Sequence, residues 1–115
     1  MLTLKLYPID VLVMIGYLRA NLNGQDQVPL VHKSVNTLVL LNYLKSWKTL
    51  KMISWSQRRA DKLYSFSMPE VVAKALYLDM LSMVLTSHQQ LFLGKLDHAI
   101  VNYQIPITQM YNIGE

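Results

Sequence analysis

Two short stretches of this chain alternate apolar and polar residues, and each runs directly into a helix start. Leu2, Leu4 and Leu6 alternate with Thr3 and Lys5, while Tyr64, Phe66 and Met68 alternate with Ser65 and Ser67. A period of two places the apolar set on one face of a strand, and strands so short need a partner edge. The chain supplies two, so the simplest closure pairs them as a small two-stranded sheet against helices.

Helical spacing follows each strand. Pro8 and Asp10 mark the first start, with Asp10 favouring the positive end of the helix. Ser67-Met68-Pro69-Glu70 marks another, predicted to cap reciprocally: the Ser67 oxygen accepts from the Glu70 amide, and the Glu70 carboxylate accepts from the Ser67 amide. The first helix presents Val11, Leu12, Ile15, Leu18 and Leu22, and the polar run Asn21 to Asp26, with Gly24, ends it near Leu22. Pro29 is expected to open a second helix, carrying Val31, Val35, Leu38, Leu41, Leu44 and Trp47. A third follows Pro69 with Val72, Ala75, Leu76, Met80, Met83 and Val84. A fourth restarts at Ser87-His88-Gln89-Gln90 and carries Phe92, Leu96, Ala99, Ile100 and Tyr103. No glycine or proline separates the third from the fourth, so one long bent helix is the alternative. Gly94 in the fourth helix costs about 1 kcal/mol relative to alanine and suggests a close helix approach.

The halves echo one another weakly at a spacing of 60, with Tyr17-Leu18 against Tyr77-Leu78 and Asn42-Tyr43 against Asn102-Tyr103. The expected fold is therefore mostly α (α+β). It has two similar β-α-α halves, 1–48 and 61–108, forming one four-helix domain over residues 1–115 with a small two-stranded sheet. A basic connection, 45–62, joins the halves, and a C-terminal arm, 104–115, follows them.

Composition narrows the function. The chain is 52% hydrophobic and only 16% charged, more apolar material than a chain of 115 residues readily hides, which points to cover by a partner. With no cysteine, disulfides, thiolate catalysis and cysteine-built metal sites are excluded. No apolar run approaches the roughly 18 residues of a spanning helix. The N-terminus also lacks the pattern of a secretion signal. A soluble cytoplasmic product is expected, or one incorporated in a particle assembled there, with no membrane partner.

Three places could carry function. The connection concentrates Lys45, Lys48, Lys51, Arg58, Arg59 and Lys62 around Trp47 and Trp55, with Asp61 as its one acid. Phosphate backbones attract such a cluster and an exposed indole such as Trp55 stacks on a base, whereas buried tryptophans would make it a solvated surface over a core. The arm is apolar and uncharged until Glu115. Pro106 should stop the helix, and Ile105, Ile107, Met110, Tyr111 and Ile113 then form an extended interface segment, either folded back or added to a neighbouring subunit. The third place is the helix faces bearing Tyr17 and Tyr77, since tyrosine suits both a core margin and an interface.

Catalytic groupings are missing. His32, His88 and His98 lack metal-ligand spacing, no carboxylates pair as acid and base, and no serine sits in a nucleophile setting. Four scattered glycines build no phosphate loop. No enzymatic activity, cofactor, metal or small-molecule substrate is expected. The leading expectation is a non-enzymatic protein-binding or structural subunit, homo-oligomeric or bound to a protein partner, of a larger assembly such as a phage or bacterial virion component. The alternative is a small basic nucleic-acid-binding protein using residues 45–62. An exposed Trp55 beside outward-pointing Arg58, Arg59 and Lys62 would favour the alternative, and two buried tryptophans would favour the first reading.

Overall fold

The computed structural model describes the backbone of residues 1–29 and 33–114, and the side chains of those residues apart from 26 and 104–114. Two strands and five helices succeed one another: β1 (Leu2–Leu6), α1 (Pro8–Asn21), α2 (Val35–Lys45), α3 (Thr49–Ser56), β2 (Tyr64–Met68), α4 (Glu70–Leu81) and α5 (Ser87–Gly114). A single turn of 3-10 helix, Gln25–Gln27, lies between α1 and α2. The protein is thus mostly helical with one small sheet.

The strands pair antiparallel, with Leu2 opposite Met68, Leu4 opposite Phe66 and Leu6 opposite Tyr64. Alternation acts as the sequence implies. Leu2, Leu4, Leu6, Phe66 and Met68 point into the core, while Thr3, Lys5, Ser65 and Ser67 cover the outer face. There the Thr3 and Ser67 hydroxyls share a 2.8 Å hydrogen bond and Lys5 Nζ donates to Ser65 Oγ at 2.6 Å.

That pairing displaces the predicted cap. Ser67 belongs to β2 and spends its hydroxyl across the sheet, so α4 begins after Pro69 without a side-chain cap. The Glu70 carboxylate instead accepts from the Met1 ammonium at 3.3 Å and from the Tyr103 hydroxyl at 2.5 Å. In α1, Asp10 does hold the helix start: its Oδ2 accepts the Tyr7 amide at 2.9 Å. At α5 the capping box forms one residue earlier than expected, between Thr86 and Gln89, with amide-to-side-chain bonds of 3.2 and 2.9 Å. Residues 82–86 separate α4 from α5, which resolves the choice between two helices and one.

Other boundaries differ as well. α2 starts at Val35 rather than Pro29, because Ser34 caps it by accepting the Thr37 amide at 3.1 Å. Val28 is extended, as a residue before proline prefers. Val31 and His32 lie outside the described residues. Residues 49–56 form a helix inside what reads as a connection, so the described residues hold five α-helices, not four. The backbone of α5 continues to Gly114, so Pro106 falls within the helix and the extended arm is not formed; one proline removes a single i→i−4 bond from a long ladder. The side chains of Ile105, Ile107, Met110, Tyr111 and Ile113 lie outside the described residues.

All seven elements contribute to one buried cluster, in which Leu6, Val11, Met14, Ile15, Leu18, Met68, Leu76, Phe92 and Leu96 are wholly enclosed. Each such side chain contributes about 1.5–3 kcal/mol relative to exposure. Packing is reciprocal: α1 lies on α5 and α4 on α2, while α3 closes against α1 and β1 rests on α5. Each of the stretches 1–48 and 61–108 opens on a strand followed by two helices, with α3 in the connection between them, and α5 runs on past residue 108. The matched tyrosines also part company. Tyr17 is buried and Tyr77 half-buried, while Tyr43 packs edge-on to Trp47 and Tyr103 reaches Glu70 at the surface.

Candidate interaction surfaces

The basic connection folds around aromatic rings. Trp47 and Trp55 are 6% and 5% exposed, too little to offer a ring to a nucleic-acid base. Trp47 stacks on Phe66 with centroids 5.9 Å apart, and Trp55 meets Phe66 and Tyr64 edge-on at 5.6 and 6.1 Å. Cations cover the outer sides of these rings. Arg58 lies 3.8 Å from the Trp55 centroid and 5.0 Å from that of Tyr64; Lys51 stands 4.2 Å over Trp47 and Lys62 5.4 Å over Tyr64. Arg59 turns to Asp61 with bonds of 3.1 and 2.9 Å, an exposed pair that holds the loop before β2. Lys45 and Lys48 are exposed at the two ends of the α2–α3 corner. The spacing of Met52 and Trp55 was the signal for α3, masked by the bases around it.

Tyr17, predicted at an interface, lies at the α1–α4 seam with 4% exposure. Its hydroxyl donates to Asp79 Oδ2 at 2.6 Å, and Asn21 Nδ2 donates to both, at 2.7 and 2.8 Å. Burial, then the Asp79 carboxylate, push the Tyr17 phenol well above its ordinary range. Tyr77 is half-buried in a shallow groove of about 370 Å³ between α4 and α5, lined also by Leu2, Ala73, Leu78, Ile100 and Tyr103. Hydrogen bonding with Asp97 holds its phenol above the usual value.

Next to that groove is an apolar stripe that the sequence reading missed. Val71, Leu78 and Leu81 are 60%, 44% and 56% exposed on the outer face of α4, with Lys74 between them. They escaped notice because the apolar residues of α4 occupy more than one face, and only contact with α2 and α5 decides which set is buried. A second and larger groove, about 710 Å³, runs between β1 and α5.

Among the described residues the titratable groups are scattered or already engaged. Asp10, 6% exposed, takes Lys95 Nζ at 2.6 Å, tying α1 to α5. His98 shares a 3.0 Å bond with Asn102, and His88 is exposed at the start of α5. Among the described residues no three histidine or carboxylate side chains gather as a metal site, and no helix is long and apolar enough to cross a membrane. Comparison with protein-family models, with curated proteins and with solved structures finds no match for this chain.

Proposed function

We propose that this chain is a non-enzymatic protein-binding subunit that self-associates through the outer face of α4. The observation that carries the reading is the exposed row Val71, Lys74, Leu78, Leu81, which is self-complementary. Set antiparallel to its own copy about the level of Leu76, this row places Val71 opposite Leu81 and Lys74 opposite Leu78. Such an isologous contact is the commonest way for identical chains to pair, and the lysine stem packs on leucine with its ammonium at the rim. The dimer would be a building unit of a larger assembly, cytoplasmic or particle-borne, of the phage or bacterial kind. The reciprocal packing of α1 on α5 and α4 on α2 supports reading each subunit as two similar, interlocked β-α-α halves.

Light-scattering mass across a concentration series tests it. A dimer is expected, strengthening with salt because each chain carries a formal charge of +4 and the copies repel. Leu78→Glu combined with Leu81→Glu should give a monomer with unchanged helical circular dichroism. A wild-type monomer at every concentration and salt would refute the reading.

Nucleic-acid binding through residues 45–62 is the second reading, and the ridge of Lys51, Arg58 and Lys62 over one aromatic cluster favours it. Those cations lie on the ring faces a base would need, leaving backbone attraction alone. Binding to an oligonucleotide that weakens steeply with salt and is lost in Arg58→Glu with Arg59→Glu would support this reading, and salt-insensitive or absent binding would end it.

A further inference from the structure

We propose that the groove between β1 and α5 accepts an extended, acidic peptide segment of a partner protein as a third strand on the free edge of β1. This rests on the protein-binding reading but uses a different surface from the α4 face.

The groove's lining locates it. Four consecutive residues of β1, Leu2 to Lys5, border it, and none from β2. Both inward-facing and outward-facing residues of β1 therefore border the space, which places it at the edge of the strand away from β2. In a two-stranded sheet each strand gives alternate backbone amides and carbonyls to its partner and leaves the other set pointing outward. At about 3.4 Å per residue, the five residues of β1 give an edge some 17 Å long, and a cavity of about 710 Å³ has room for four or five residues of extended chain. Backbone pairing supplies affinity in such additions, and the side-chain lining supplies selection.

The lining names the chemistry. Lys5, Lys95 and His98 line the groove and no carboxylate among the described residues does, although the Lys5 ammonium rests on Ser65 across the sheet. Lys95, about a third exposed at its side chain, is paired with the buried Asp10 at 2.6 Å. Leu91, 61% exposed, and Ala99 give α5 an apolar wall. An incoming strand that alternates apolar and acidic side chains matches both walls. A second copy of this chain does not, because β1 itself carries lysine and two such edges would repel. Gly94 keeps the middle of the α5 wall open: a Cβ built there meets nothing within 4 Å.

The test is a nuclear magnetic resonance titration of the full chain with a blocked hexapeptide of alternating valine and glutamate. Saturable shifts centred on the amides of Thr3, Leu4 and Lys5 are expected. They should weaken at least about tenfold, or 1.4 kcal/mol, with the valine-lysine counterpart, with the peptide N-methylated at alternate amides, and with Gly94→Leu. Gly94→Leu fills the groove from an unobstructed position, so its amide spectrum should otherwise match wild type; Lys5→Glu provides a second block at the opposite wall. Absence of β1 shifts at millimolar peptide, equal binding of the lysine peptide, or undiminished binding by both variants would overturn the proposal. β1 shifts that appear on concentrating the protein alone would assign the edge to a second copy and overturn it too. A chain that is monomeric yet binds the peptide would remove only the α4 reading.

Discussion

The hydroxyl of Tyr17 on α1 donates a 2.6 Å hydrogen bond to the Asp79 carboxylate on α4, and Asn21 one turn further along α1 donates to both. The three side chains lock two helices that are otherwise joined by few direct contacts. A carboxylate acceptor makes the bond stronger than a neutral pair.

Tyr17→Phe is expected to lower stability by about 1–2 kcal/mol, because Asp79 keeps Asn21 as donor, whereas Asp79→Ala leaves the proton of a buried hydroxyl without its acceptor and costs about 2–3 kcal/mol. Urea unfolding at pH 7 measures both. The phenol also predicts a pH dependence. Its folded pKa is raised above the ordinary 10.0, so above that pH the unfolded chain releases a proton that the folded chain retains. The stabilisation is complete below pH 10 and declines as pH rises further. Melting temperatures between pH 8 and 11 should fall less steeply in Tyr17→Phe. Tyr43, raised chiefly by burial, keeps part of the slope in that variant.

Lys95→Met should destabilise by about 2 kcal/mol. It leaves the Asp10 carboxylate, 8% exposed at its side chain, with the Tyr7 amide as its remaining donor among the described residues, and the loss of a partner to a buried charge outweighs the gain in apolar packing. Asp10→Asn with Lys95→Met should recover part of the loss, and a double-mutant cycle by chemical denaturation reads it.

Trp47 carries a buried indole N–H with no hydrogen bond of good geometry among the described residues, the Tyr43 hydroxyl being at most a weak acceptor. Trp47→Phe therefore removes an unsatisfied donor along with some volume, and its cost should stay near 1 kcal/mol. Trp47→Ala removes the ring beneath Lys51 and against Phe66, and should cost about 3–5 kcal/mol. Similar losses in both variants, measured by thermal unfolding, would show that the N–H is satisfied.

Gly94→Ala should stabilise α5 by up to about 1 kcal/mol, since the added methyl meets nothing and the glycine is mid-helix. The glycine does not mark a close helix approach, as its place in the helix suggested. A loss of stability would mean that the α5 wall sits nearer β1 than the open groove implies.

The two strands, their pairing with each other and the apolar faces of α1 and the first half of α5 were legible in the sequence, because two-fold and helical periodicity are local; the antiparallel orientation was not. The candidate surfaces were less so. The six bases of residues 45–62 hid α3, whose inward side chains are only Met52 and Trp55. Val35 and Val84 read as core and stand exposed, at 75% and 101%. Periodicity proposes a face but does not say whether another element reaches it.

Alternation and the placement of Pro8, Asp10 and Pro69 were sufficient to determine a β-α opening to each half, since backbone geometry there depends on neighbouring residues alone. The tertiary structure decided the rest. Ser67 became a strand residue bonded to Thr3, and Glu70 turned to Tyr103, because partners distant in sequence outcompeted the local cap. Trp47 and Trp55 went inside because Phe66 offered them a ring surface, and β1 kept a free edge beside α5 because nothing in the described chain pairs with it. Local pattern fixes which groups need burial or pairing; only the packed chain settles which need is met within it and which is left for a partner.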